Sequence, residues 1–73
     1  MPLLSPNPTH GIIKLYNSGN DIRSIAIYSV TGEMMYKTLG NVNQIDIGAL
    51  KSAVYIVQIE TDRKTYINKI VKL

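Results

Sequence analysis

His10 is the one histidine of the chain, and it sits in a segment rich in proline and glycine. A general base or a metal ligand needs partners nearby, such as a carboxylate, a thiolate or a second imidazole. No cysteine is present, so a disulfide framework and a thiolate metal site are excluded. The five acids are Asp21, Glu33, Asp46, Glu60 and Asp62. They are too scattered for a calcium loop, which gathers several oxygens within about a dozen residues. Glu60 and Asp62 flank one turn and read as turn formers and surface charge. Ser5, Ser18, Ser24, Ser29 and Ser52 lack the setting of a nucleophile elbow. Gly11, Gly19, Gly32, Gly40 and Gly48 are spread one per connection instead of forming a phosphate cradle. Met34 and Met35 read as core filler. No cofactor and no metal are expected. The residues argue for recognition or structure, not turnover.

The elements follow from the apolar pattern. Leu50 to Glu60 is the longest β-branched and aromatic run. Tyr55, Val57 and Ile59 repeat at period two, which puts them on one face of a strand, with Val54 and Ile56 on the other. A strand that starts apolar on both faces belongs inside a sheet. Leu50 precedes Tyr55 across the small residues Ser52 and Ala53. Two readings of Tyr55 stand: a tyrosine corner whose hydroxyl bonds back to the upstream backbone, or an ordinary half-buried strand tyrosine.

Along the chain, residues 1–10 hold Pro2, Pro6 and Pro8 and read as an extended lead-in. It ends in a turn at Thr9-His10-Gly11, with Leu3 and Leu4 able to tuck into the edge of the fold. Residues 11–73 read as a β-sandwich. The first strand runs over 11–16, with Ile13 and Leu15 on one face. A turn cluster occupies 17–21. Residues 24–30 carry Ile25 and Ile27 inward, and Val30-Thr31-Gly32-Glu33 makes a tight turn in which Gly32 supplies a positive φ. Residues 33–38 return as the second half of a hairpin. Residues 44–47 form a short strand with Ile45 and Ile47 inward. The last strand, 65–73, sets Ile67 and Val71 against Tyr66 and Ile70, with Lys69 and Lys72 interspersed. Six strands at short, regular spacing predict an all-β antiparallel sandwich in a single domain.

Composition agrees. Eleven Ile and five Val, with no Phe or Trp, favour strands because branched side chains are already restricted at χ1. A chain of 73 residues buries only about 60% of its unfolded surface, enough for one thin core. The net charge of +3 is mildly basic, with Arg63, Lys64, Lys69 and Lys72 late in the chain. Nucleic-acid binders carry a denser basic stripe, often with stacking aromatics, so no nucleic-acid partner is expected. No apolar run approaches the roughly 20 residues that span a bilayer, so no membrane insertion is expected. The start shows no secretory leader.

Several motifs, taken in order, match one known family. They are Pro6-Asn7-Pro8-Thr9, Gly11, Ile25 to Glu33 with its Val30-Thr31-Gly32 turn, Ile45-Asp46-Ile47, Leu50, Val54 to Glu60, and the ending Asn68-Lys69-Ile70-Val71-Lys72-Leu73. In this order and spacing, from Ser5 to Leu73, the chain resembles the C-terminal sorting domain of the type IX secretion system of Bacteroidetes-type bacteria. The chain departs from the family pattern at Ala53, where glycine is usual, and at Lys51, where proline is common.

The resemblance implies an immunoglobulin-like Greek-key sandwich of about seven strands, in which Gly32, Leu50, Tyr55, Val57 and Ile59 are structural. It implies a non-catalytic secretion signal, covalently part of a larger cargo protein. The machinery recognises it after the cargo has entered the periplasm, and a cell-surface sortase removes it at the surface. Carried over by motif, the recognition residues are Pro6, Asn7, Pro8 and Gly11 at the front and Lys69, Ile70, Val71, Lys72 and Leu73 at the end. For Pro6, Asn7, Pro8 and Gly11, turn chemistry alone is an equal explanation. One physical route is strand addition, with the last strand presenting its edge and Lys69 and Lys72 setting register. The alternative is a non-catalytic adhesion or carbohydrate-binding module using Tyr16, Tyr28 and Tyr66 as outward aromatics. An exposed edge strand also offers a route to an edge-strand dimer.

Overall fold

The computed structural model describes residues 3–5, 8–16, 22–40 and 42–73. The expected turn cluster at 17–21, and the packing expected of the Leu3, Leu4 and Tyr16 side chains, lie outside the described residues. Seven strands are present: β1 (Leu3–Ser5), β2 (Ile12–Tyr16), β3 (Ile22–Ser29), β4 (Met34–Leu39), β5 (Gln44–Asp46), β6 (Ala53–Thr61) and β7 (Thr65–Lys72). They form two antiparallel sheets with the orders β1-β2-β5 and β4-β3-β6-β7. This is the two-sheet arrangement of an immunoglobulin-like sandwich.

Period-two alternation builds the core. Ile13 and Leu15 of β2, with Ile45 and Ile47 at β5, face Ile25 and Ile27 of β3, the Tyr55, Val57 and Ile59 row of β6, and Ile70 of β7. Burying each such aliphatic side chain contributes about 1.5–3 kcal/mol relative to leaving it exposed. β6 lies between β3 and β7, inside its sheet as its two apolar faces require. β3 begins earlier than its apolar pattern suggests, because Ile22 is also buried. A register shift between Ile22 and Ser24 in the pairing with β6 interrupts the alternation that would have revealed it.

The turns are fixed by short polar devices. Between β3 and β4, Gly32 takes φ +93°. Its N–H donates to the Ser29 carbonyl at 3.0 Å, and the Ser29 N–H donates to the Glu33 carbonyl at 2.8 Å. Between β6 and β7, the Thr61 hydroxyl donates to the Lys64 carbonyl at 2.9 Å and accepts from the Lys64 N–H at 3.1 Å. Thr61, rather than the flanking acids Glu60 and Asp62, forms this turn.

Tyr55 makes the corner. Its hydroxyl donates to the Lys51 carbonyl at 2.7 Å, while its ring is buried in the core. Leu50 is half-buried against the same cluster. Ala53 starts β6 without a positive φ, so the backbone conformation at this entrance does not call for the family's glycine.

The lead-in is more than an extended approach. Leu3–Ser5 pairs with β2 as an edge strand, in the register Leu3 with Tyr16 and Ser5 with Lys14. The prolines flank this three-residue strand instead of interrupting it, and an edge position tolerates them.

Candidate recognition surface

Thr9 is 1% exposed, although it sits in a loop between prolines and glycine. Its main chain lies beside the last strand in a parallel bridge to Lys72. The Thr9 N–H donates to the Val71 carbonyl at 2.9 Å, and the Thr9 carbonyl accepts from the Leu73 N–H at 2.8 Å. Its hydroxyl donates to the Ile12 carbonyl at 2.9 Å and accepts from the Gly11 N–H at 3.1 Å. One residue thus ties the front loop, β2 and the end of β7 together.

A second device faces the first. Asp46 Oδ1 accepts from the Gly48 N–H at 2.8 Å, the same side-chain-to-second-residue bond that Thr9 makes with Gly11. The Gly11 carbonyl accepts from the Ile47 N–H at 2.8 Å, which joins the two turns. A Cβ placed on Gly11 would stand 3.1 Å from the Gly48 Cα. Gly11 is therefore required by close backbone approach, since its φ is not positive.

The structure places the candidate residues as follows. Pro6 and Asn7 lie outside the described residues. Pro8 is exposed, and Gly11 is buried at the joint between the two turns. In β7, Ile70 is fully buried in the core, while Lys69, Val71 and Leu73 are exposed. Lys72 is only 8% exposed, and its Nζ donates to the Leu73 oxygen at 3.3 Å. The two candidate segments, far apart in sequence, meet at one edge of the sandwich through Thr9.

Two expectations change as a result. Strand addition along the end of β7 requires an open edge there, but Thr9 already occupies it beside Val71 and Leu73. Lys72 cannot set a register on that edge, because strand alternation turns its side chain to the core face with Ile70. Of the expected outward aromatics, Tyr66 is turned to the core face. Tyr66 pairs with Ile59, packs against the core cluster and carries Lys64 Nζ 4.8 Å from its ring centroid. Tyr28 pairs with Ile56 on the opposite face of the same sheet.

Sequence reasoning named Thr9, Asp46 and Gly48 but gave them no functional role. The signal was present as Thr9-His10-Gly11 and Asp46-Ile47-Gly48, each a short oxygen-bearing side chain two residues before a glycine. Among the described residues no group of three His, Cys, Asp or Glu could hold a metal ion, and His10 is exposed.

A small two-sheet sandwich, closed at one edge by its own front loop, is the class of domain these features define. A family model described as the secretion system C-terminal sorting domain matches residues 4–73, and the chain belongs to that family. The domain is a C-terminal sorting signal for type IX secretion, which directs an attached cargo to the cell surface or extracellular space. Sorting-signal domains of this kind are not known as catalysts. No curated protein matches the chain.

Proposed function

We propose that the sorting signal is read at the joint between the front loop and the last strand. The supporting observation is the pair of main-chain bonds from Thr9 to Val71 and Leu73, which brings the front loop, with exposed Pro8, to the end of β7, where Val71 and Leu73 are exposed. In this reading Pro8 and Gly11 shape one half of the surface and Lys69 to Leu73 form the other, and the motif residues Pro6 and Asn7 belong to the same signal. Ile70 and Lys72 act from below by holding the strand in place. The domain itself performs no chemistry. The cargo passes through the periplasm, the type IX machinery docks this surface, and a cell-surface sortase then removes the domain.

Fusing residues 1–73 behind a periplasmic reporter, in a host with a type IX system, tests the reading. Export of the reporter, and its loss when Lys69 to Leu73 is deleted, is the expected result. A reporter that stays in the periplasm contradicts the proposal. Unchanged export after the deletion removes the last strand from it.

A further inference from the structure

The joint carries a groove on its outer side. A cleft of about 510 Å³ is lined by Thr9, Gly11, Ile12, Lys14, Asp46 and Gly48, with exposed His10 at its rim. Lys14 also lines a second concavity of about 400 Å³ with Leu15, Asn43 and Gln44. The two hollows share Lys14 and follow the β2–β5 ladder, in which Ile12 pairs with Asp46 and Lys14 with Gln44.

The chemistry of the lining narrows the occupant. Gly11 and Gly48 give the cleft a floor without side chains, and Ile12, 41% exposed, gives it an apolar wall. Lys14 is exposed between the hollows, whereas Asp46 Oδ1 is held by the Gly48 N–H. A sugar would want an aromatic platform, and apart from the His10 imidazole the lining offers no ring. A phosphate would want several converging donors, and Lys14 is the one fixed cation among the lining residues. Two adjoining hollows along one strand ladder, one with an apolar wall and both bordered by the same lysine, suit an extended peptide.

We propose that this groove receives an extended segment of the secretion machinery, one apolar side chain lying against Ile12 and a neighbouring carboxylate meeting Lys14. The inference rests on the sorting reading above and adds the chemistry of the partner. Asp46 positions the groove by holding Gly48 and makes no contact with the carboxylate.

Export of the fused reporter from the full domain is compared for the unchanged sequence, Lys14→Glu, Lys14→Arg and Lys37→Glu. Lys37 is exposed on β4 in the other sheet, so Lys37→Glu changes net charge equally without touching the groove. Thermal melts establish that each variant is folded. The expected result is a fall of about tenfold for Lys14→Glu, recovery in Lys14→Arg, and unchanged export for Lys37→Glu. Normal export of Lys14→Glu, or equal losses in both glutamate variants, overturns the groove and leaves the sorting reading standing. Failure of the unchanged domain to export removes both.

Discussion

The main chain of Thr9 brackets Lys72. Its N–H reaches the carbonyl of the residue before Lys72, and its carbonyl receives the N–H of the residue after it. This parallel bridge joins the front of the chain to its last strand, so the two segments form one surface.

Thr9→Val keeps the shape of the side chain but removes its hydroxyl. The Gly11 N–H then loses its acceptor, and the Ile12 carbonyl loses that donor. Leaving buried polar groups unsatisfied costs about 1–3 kcal/mol. Chemical denaturation of the two proteins should show a loss of this size, and an unchanged midpoint would contradict the role given to Thr9.

Gly11→Ala forces a Cβ to within 3.1 Å of the Gly48 backbone, which has no flexible side chain to move aside. Overpacking of this kind costs about 1–3 kcal/mol. Gly32→Ala meets nothing within 4 Å, so its cost comes only from φ +93°. A substitution in the turn after β5 that displaces Gly48 should soften the first variant and leave the second unaffected. Equal behaviour of both in such double mutants, followed by thermal melting, argues against the glycine contact.

Tyr55→Phe removes one bond to Lys51 and leaves the ring in place. The expected destabilisation is about 0.5–1.5 kcal/mol, the net worth of an ordinary hydrogen bond. Ile27→Ala, in the fully buried centre of β3, should cost more, about 2–5 kcal/mol. Equilibrium unfolding that reverses this order would contradict the assignment of the core.

β4 is one edge of the four-stranded sheet. The Gly40 N–H to Arg23 carbonyl bond at 2.8 Å fixes the ladder alternation, which turns the main chain of Lys37 outward. A lysine on an edge strand discourages pairing between chains. Lys37→Val should therefore raise self-association in sedimentation at increasing concentration. A variant that stays as monomeric as the parent excludes this edge.

Much of this was legible in the residues. The Ile25, Ile27, Val57 and Ile59 alternation gives the core because period two sends every second side chain to one face. The Val30-Thr31-Gly32-Glu33 turn is readable because its geometry needs a positive φ. The joint is harder to see. Thr9 acts largely through its main chain, which any residue carries, and its partners lie at the other end of the sequence. Lys72 misleads for a related reason. Its charge suggests solvent, but the alternation fixed by Ile70 places it inward, where its long stem can lie against the sandwich while the ammonium reaches the Leu73 oxygen. The strand in the lead-in is obscured by the prolines around it, which exclude a central strand but permit an edge.

Amide hydrogen exchange at Leu73 tests the joint most directly. If Thr9 holds it, the Leu73 N–H exchanges on the order of a hundredfold or more slower than an unstructured amide, alongside the Thr9 N–H. Exchange at the unstructured rate at Leu73, with Val57 and Ile59 still protected, would mean that the two ends are not joined and that the composite surface does not exist.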